Sequence, residues 1–260
     1  MTDWGIDSGH ITTRVRDDVA VVTLHRPDKL NALTTEMRRE LAAIVRHFGD
    51  GSRADGIVVT GSGRAFSAGE DLRQAAELLP GGFVEEVEVF HDMTRAVLET
   101  RVPVVAAVNG IAVGGAFEWT LCFDARIGSP AAEFFLPENG IGLPVSNAAG
   151  LLLPRLTGGG RALRLVLDTA RLGAEEAVAA GLLDEIVPAD GLVDAAVGLV
   201  RRWSRPGSAT AVHLALLRPS LEDVERAFAA ETRAAGQVDE SGLARSGVNA
   251  FLSRRAARST

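Results

Sequence analysis

The sequence of 260 residues predicts an α/β protein whose C-terminal part is mainly helical. Short apolar, β-branched segments alternate with segments that keep a 3.6-residue apolar period, which is typical of a sheet built with right-handed helical crossovers. From about residue 159 onward Ala, Leu and Arg dominate, and these residues favour helix. We therefore predict an α/β core over residues 1–200 and a helical region over residues 201–260, with Arg205–Ser208 as the linker candidate.

The N-terminal elements follow from local signals. Ile11–Arg16 and Ala20–Leu24 alternate as strands do, and Asp17–Asp18 between them predicts a tight turn. Thr34 or Thr35 caps a helix with a regular apolar stripe, which Gly49 ends. The next predicted elements are a strand at Gly56–Thr60, a Gly-rich loop at 61–69, helices at 70–79 and 83–100, a strand at Val104–Val108, a helix from Gly114 and a strand near Arg126–Ser129.

The C-terminal region carries the helical signal. We predict one short strand at Glu185–Val187 and helices at 190–204, 209–217, 219–236 and 241–255. A helical tail of about 60 residues struggles to bury a core of its own. We therefore expect this tail to pack on another subunit.

Composition excludes several classes of protein. Apolar residues make up 47% and charged residues 23% of the chain, which is the range of globular proteins and excludes a disordered chain. The net charge of −7 argues against a nucleic-acid partner or an acidic membrane surface, and no apolar run reaches the ~20 residues of a membrane span. The first residues lack a signal-peptide pattern, and the single cysteine, Cys122, fits a reducing compartment. We expect a cytoplasmic protein.

Several common site motifs are missing from the sequence. The five histidines have no metal-ligand spacing, so we expect no metal site, and there is no phosphate-binding glycine motif of the P-loop or GxGxxG type. Ala65–Gly69 resembles the sequence of a nucleophile elbow around Ser67. An elbow needs a strand that runs straight into the serine, whereas here the strand is predicted to end near Thr60, so we interpret Ser67 as a loop residue.

Two glycine-rich segments have the same design. Gly61–Leu72 and Ala106–Glu118 each follow an apolar strand, cross a run of small residues and enter a helix. Small residues let a ligand approach the backbone, and the first turn of a helix has unpaired N–H groups. Side by side, the two segments could direct two N–H donors at one oxyanion, although two ordinary strand–helix turns explain the pattern equally well.

The sequence resembles the crotonase (enoyl-CoA hydratase/isomerase) superfamily over essentially its whole length. The matching stretches, in order, are Leu24–Leu33, Ala65–Leu72, Val108–Glu118, Phe135–Glu138, Leu153–Gly158 and Ala174–Pro188. The resemblance implies a crotonase-like spiral of ββα units with a helical C-terminal trimerisation region, assembled as a trimer or as a hexamer of trimers. It implies no separate cofactor, because coenzyme A arrives as part of an acyl-CoA substrate.

The resemblance also assigns site residues. It implies that the N–H groups of Ala68 and Gly115 hold the thioester oxygen, and that Glu118 and Glu138 are the acid–base pair of a hydratase. Arg26 and Lys29, the only lysine, lie in the segment that usually meets the CoA phosphates and adenine. The substrate-binding set is Arg26, Lys29, Ala32, Ala68, Gly69, Glu70, Asp71, Leu72, Gly114, Gly115 and Ser146.

Some positions depart from the family pattern. Glu70 stands where a small residue is usual, as a third carboxylate that contacts substrate or perturbs the other two. Phe117 and Trp119 flank Glu118 either as core residues or as walls of the acyl pocket, and Leu143–Gly150 replaces a glycine-rich run, with Ser146 at the position that helps to hold water. The leading interpretation is a 2-enoyl-CoA hydratase. The alternatives are another crotonase reaction (isomerisation, decarboxylation or thioester hydrolysis) and a non-catalytic binding member.

Overall fold

The computed structural model of the chain describes residues 9–78 and 80–257, so the predicted end of a helix at residue 79 lies outside the described residues. The fold is mixed α/β, with ten strands among the described residues. The strands are β1 Ile11–Arg16, β2 Val19–Leu24, β3 Gly56–Gly61, β4 Ala65–Ser67, β5 Val104–Val108, β6 Ile111–Val113, β7 Ala125–Gly128, β8 Glu133–Phe135, β9 Leu172–Gly173 and β10 Glu185–Ile186.

Twelve α-helices lie in the same part of the chain. They are α1 Thr35–Gly49, α2 Leu72–Ala76, α3 Gly82–Leu98, α4 Gly115–Thr120, α5 Glu138–Ile141, α6 Ala149–Thr157, α7 Gly159–Leu167, α8 Ala174–Ala179, α9 Leu192–Trp203, α10 Thr210–Leu217, α11 Leu221–Glu240 and α12 Leu243–Ala257. The Thr34 hydroxyl caps α1 by accepting the Met37 N–H, as the sequence predicts for one of its two threonine candidates.

A six-stranded sheet forms the centre of the molecule, in the order β1-β2-β3-β5-β7-β10. Only β1 runs antiparallel to its neighbour in this sheet. Alternate residues of each strand face opposite sides, so Val58 packs against α9 while Ile57 and Val59 join the core beneath α1. Burial on both faces is why the inner strands β3 and β5 read as continuous apolar runs in the sequence.

A second sheet of four short strands, in the order β4-β6-β8-β9, is the part of the fold that the sequence did not predict. The segment predicted as a loop at 61–69 contains β4, so Ser67 ends a strand and is not a loop residue. Strands β4, β6 and β8 are parallel neighbours, and their carboxyl ends therefore meet at one edge. That edge is where ligands bind in sheets of this kind.

The C-terminal helices pack partly on their own chain. Val224 and Phe228 of α11 are buried in the main core against α3, and Ala244 and Val248 of α12 join a small cluster with Ala75 and Phe83. The apolar side chains of α10, in contrast, are largely exposed. The division into a core of residues 1–200 and an oligomerisation region of residues 201–260 stays a prediction.

Candidate active site

Three loops converge at the carboxyl edge of the second sheet. Ala68–Asp71 follows β4, Gly114 and Gly115 follow β6, and Glu138 begins α5 just after β8. The parallel order of the three strands places these sequence-distant segments side by side. The short strands thus bring together the residues that the sequence predicts to form the site.

The glycines at this edge allow a close approach of backbone. A Cβ atom on Gly69, whose φ is +82°, would lie 2.6 Å from the Val113 carbonyl oxygen and 3.7 Å from the Gly115 nitrogen. A Cβ atom on Gly114, whose φ is +53°, would lie 2.5 Å from Glu138 Oε1. The contact at Gly69 is with backbone and excludes a larger residue, whereas a larger residue at Gly114 would displace the Glu138 side chain; the positive φ disfavours a larger residue at both positions.

Glu118 lies on the first turn of α4 with its carboxylate buried. Its Oε2 atom accepts hydrogen bonds from the Ser146 N–H at 2.9 Å and from the Ser146 hydroxyl at 2.6 Å. Its Oε1 atom has no hydrogen-bond partner among the described residues. One oxygen is thus held in place, while the other is left for a ligand or water.

Glu138 faces the same cavity from α5. Its Oε2 atom is buried and, within the part of the chain that the structure describes, makes no hydrogen bond. Burial raises the pKa of Glu138 to about 8, and the charge of Glu70 contributes in the same direction. Burial, followed by the charge of Glu138, also raises the pKa of Glu118, against which the hydrogen bonds from Ser146 act. Two carboxylates in one buried cavity resist joint ionisation.

The cavity between these groups is small, with a volume of about 70 Å³. Apart from the carboxylates and the glycine loops, its wall is mainly apolar. The apolar lining residues are Leu72, Phe83, Val87, Phe90, Val113, Pro137, Ile141, Leu143, Pro144 and Ala235.

Glu70 is a third carboxylate of this cavity. Burial raises the pKa of Glu70 to about 7, while Arg38, whose Nη1 lies 3.7 Å from Glu70 Oε1, acts in the opposite direction. Arg38 is fully buried, pairs with Glu86 and lies over the Phe90 ring at 4.3 Å. Arg38 thus balances the negative charge of Glu70 only in part, so the ionisation of Glu70 can change when a substrate binds.

The two expected oxyanion donors differ in the structure. Gly115 is the first residue of α4, so its N–H has no partner within the helix. The Ala68 N–H, in contrast, donates to the Leu30 carbonyl at 2.8 Å, because Leu30 adopts a left-handed conformation with φ of +53° that turns its peptide toward β4. A thioester oxygen would compete with the Leu30 carbonyl for the Ala68 N–H, and the role of Ala68 as an oxyanion donor stays a prediction.

The predicted CoA-binding segment is also partly committed elsewhere. Arg26 donates to the Ala32 carbonyl at 2.6 Å and forms an ion pair with Asp71 at 3.1 Å, with both side chains mostly buried. Arg26 therefore ties the segment to Asp71, which caps α2 by accepting the Arg73 N–H. The Arg26 guanidinium is already engaged in these contacts and is not free to bind a phosphate. Lys29 is exposed at the surface of the same segment.

Asn31 is the residue of this region that sequence reasoning missed. It is fully buried in a left-handed conformation, and its amide donates to the carbonyls of Ser62, Ala65 and Phe66. These bonds hold the Arg26–Ala32 loop against β4. The match of Asn31 to a family motif was the available signal, but the sequence does not show that its partners are backbone carbonyls more than thirty residues away.

Other nominated residues lie outside the cavity. Phe117 and Trp119 are buried core residues and do not line it, which answers the alternative left open by the sequence. The Ser67 hydroxyl is buried and donates to the Asn31 carbonyl at 2.7 Å, away from any base.

No group of three or more His, Cys, Asp or Glu side chains with metal-binding geometry occurs among residues 9–78 and 80–257. In the same residues, no helix combines the length and apolar character needed to cross a bilayer.

Comparison with known proteins places the chain among relatives of one kind. The family model described as "Enoyl-CoA hydratase/isomerase" matches residues 14–259. A "Probable enoyl-CoA hydratase" of Rhodobacter capsulatus is 36% identical, with 94% of this chain and 95% of the relative covered. A "Crotonyl-CoA hydratase" of Syntrophomonas wolfei is 30% identical over 95% of this chain and 96% of its own length. The crystal structure of an enoyl-CoA hydratase from Mycobacterium avium subsp. paratuberculosis superposes with a TM-score of 0.84 at 28% identity, covering 94% and 96% of the two chains.

Proposed function

Because the chain belongs to the enoyl-CoA hydratase/isomerase family, we propose that it is an enoyl-CoA hydratase, which adds water reversibly to a 2-enoyl-CoA thioester. The observation that carries the proposal is the pair Glu118 and Glu138 in one buried cavity. Each has a buried carboxylate oxygen that none of the described residues satisfies. Hydration needs two such groups, one on the attacking water and one that supplies a proton.

The roles follow from the surroundings of the two carboxylates. Ser146 fixes Glu118 Oε2 with two hydrogen bonds and leaves Oε1 open to a water, so we assign Glu118 as the base that takes a proton from water. Glu138, with its pKa of about 8, is the protonated partner at neutral pH. Water adds its hydroxyl to the β-carbon, Glu138 protonates the α-carbon, and the proton gained by Glu118 returns to Glu138. The number of protons on the pair is thus unchanged after a turnover.

The charge that develops on the thioester oxygen needs donors at the glycine loops. The N–H of Gly115 is the ready donor, and Ala68 becomes the second when the thioester oxygen displaces the Leu30 carbonyl. Both nitrogens belong to loops at the same sheet edge as Glu138. This arrangement supports enolate stabilisation by two backbone groups.

For the substrate, we propose a short 2-enoyl group carried on coenzyme A, with no separate cofactor. The cavity of about 70 Å³, which Phe83, Phe90 and Leu143 line, favours a short acyl chain. Because Arg26 is engaged with Asp71, we assign the attraction of the CoA phosphates to Lys29. The side chains of Glu70 and Leu72 complete the acyl end of the site.

We further propose that the protein is a homotrimer, or a hexamer of trimers, in the cytoplasm. The support is α10, whose Val212, Leu216 and Leu217 side chains are largely exposed beside a groove of about 820 Å³. An exposed apolar helix of this kind is covered in most assemblies. Sedimentation of the full chain tests the assembly: Leu216→Glu should dissociate it, whereas a wild-type monomer at micromolar concentration contradicts it.

The test of the activity is a substrate panel. Purified protein is mixed with 2-enoyl-CoA esters of increasing chain length, and loss of the conjugated double bond and formation of 3-hydroxyacyl-CoA are measured. We expect hydration to be fastest with the shortest esters. The same assay with 3-enoyl-CoA esters distinguishes isomerisation, which moves one proton between two carbons and adds no water. Isomerisation without hydration, or binding without turnover, would contradict the proposal.

A further inference from the structure

The segment that holds Glu118 has an unusual backbone. Ser146 provides both hydrogen bonds to Glu118, and the next two residues, Asn147 and Ala148, have φ values of +56° and +58°. Left-handed conformations are unfavourable for residues with a Cβ, least so for Asn. Two in succession persist only where the surroundings hold them.

A buried carboxylate on the C-terminal helix α11 provides that hold. Glu231 Oε2 accepts the Ala148 N–H at 3.0 Å, and Oε1 lies 3.4 Å from the Gly150 nitrogen, which donates to it. On its other side Glu231 Oε2 lies 3.0 Å from His91 Nε2 of α3. The His91 ring is fully buried and stacks on Phe228 with a centroid separation of 4.1 Å.

The neighbouring residue Asn147 is fixed by a second set of bonds. Its amide donates to the Gly115 carbonyl at 3.1 Å, and its Oδ1 accepts the Thr94 hydroxyl at 2.9 Å. Helices α3, α4 and α11 thus converge on residues 147–150. Glu231 itself does not line the cavity, so its effect on the chemistry passes through Ser146 and Glu118.

We propose that Glu231 is a positioning residue, which holds residues 148–150 so that Ser146 keeps both of its hydrogen bonds to Glu118. The proposal rests on the proposed hydratase function for its kinetic readout, but the placement of Ser146 on Glu118 is measurable without turnover. It assigns α11, a helix of the C-terminal region, a role in the active site.

The charges around Glu118 make the test specific. Glu138 on α5 and Glu231 on α11 raise the pKa of Glu118, whereas the two hydrogen bonds from Ser146 lower it. Glu231 itself faces His91 of α3, beyond which lie Glu88 and Arg95 of the same helix. Removing the charge of Glu231 and releasing Ser146 therefore change the pKa of Glu118 in opposite directions.

The first experiment is a pH titration of the Glu118 carboxyl carbon by NMR, with the resonance identified by its absence in Glu118→Gln. Glu231→Gln keeps an oxygen for the Ala148 N–H but removes the charge, so it should lower the pKa of Glu118. Glu231→Ala removes the acceptor as well, so Ser146 should be released and the pKa should rise. If both variants lower the pKa equally, Glu231 acts only as a distant charge and the proposal is wrong.

Kinetics provide the second readout. Glu231→Ala should lower kcat by about tenfold or more with KM within about threefold of wild type. Its effect should shrink when Ser146→Ala is already present, because Glu231 acts through Ser146. Glu225→Gln is the matched control, since Glu225 also lies on α11 and pairs with Arg95 of α3, but at the surface. Equal losses in the control, or fully multiplicative losses with Ser146→Ala, would overturn the proposal.

Two arms keep the test decisive. If Glu231→Ala fails to fold, Thr94→Val removes the anchor of Asn147 at nearly constant volume and should raise the pKa of Glu118 in the same way. An unchanged pKa in that variant would count against the proposal. If wild-type protein hydrates no enoyl-CoA, the hydratase proposal fails, while the opposite titration shifts of the two Glu231 variants still support the positioning role.

Discussion

Replacement of Gly114 by Ala tests how closely the backbone approaches Glu138, the proposed acid. A Cβ at this position would lie 2.5 Å from Glu138 Oε1, whereas contacts under 3.0 Å are essentially never found for a Cβ. The clash falls on a flexible side chain, so Glu138 retreats and the backbone stays. A displacement approaching 1 Å at a reacting group lowers the rate by about 10²-fold.

Gly158→Ala is the matched control for the backbone. Gly158 has a φ of +80°, and a Cβ at this position would have no neighbouring atom within 4 Å. Ala at this position therefore causes backbone strain but no steric clash. Strain of this kind is worth about 1–3 kcal/mol. We expect urea denaturation to show similar losses of stability in both variants, while only Gly114→Ala loses hydration, by about 10²-fold. Wild-type kcat in folded Gly114→Ala would refute the reasoning.

Three further predictions concern charge. First, the pKa of Glu138 is raised to about 8 in the folded protein, so the folded state binds its proton more tightly than the unfolded state. The contribution of Glu138 to stability is therefore full below its unfolded pKa and is lost as pH rises through about 8, and urea titrations should show a smaller decline in Glu138→Gln. Second, Glu70→Gln removes a charge that raises the pKa of Glu138, so the alkaline limb of the kcat/KM profile should shift to lower pH. A limb that does not move would show that Glu70 has no effect on the acid–base pair. Third, Lys29→Ala should raise KM for acyl-CoA several-fold at low salt and less at high salt, because salt screens the attraction of phosphates. The control is Arg164→Ala, which removes an exposed cation of α7. Equal effects in both variants would show that Lys29 does not bind the CoA phosphates.

The long strands and helices could be predicted from the sequence because each carries a periodic signal of its own. Strands β1, β2, β3 and β5 are five or six residues long, and β2, β3 and β5 are largely apolar and buried, while α1 has a regular apolar stripe with its cap. The second sheet could not be predicted, since β4, β6 and β8 have three residues each and three residues contain no measurable period. Their pairing is decided by tertiary packing.

The candidate site, like the fold, could be predicted from the sequence only in part. Glu118, Glu138, Gly69 and Gly115 match motifs, and the structure brings them to one sheet edge. The partners of these groups were beyond the sequence: Arg26 is drawn to Asp71, and Ala68 to the Leu30 carbonyl, by contacts between segments far apart in the chain. Motifs indicate which residues carry chemistry, whereas hydrogen-bond partners depend on the folded geometry.

The most direct test of the central claim is the rate of hydration of a short 2-enoyl-CoA by Glu118→Gln, Glu138→Gln and the double variant, with acyl-CoA affinity measured by calorimetry. The amide is nearly isosteric but exchanges no proton, so each single variant should lose about 10²–10⁴ in kcat while affinity is nearly unchanged. The double variant should fall well short of the product of the two losses, because both carboxylates serve one water. Glu99→Gln, an exposed glutamate, should retain wild-type activity. Hydration that survives in both single variants would contradict the account.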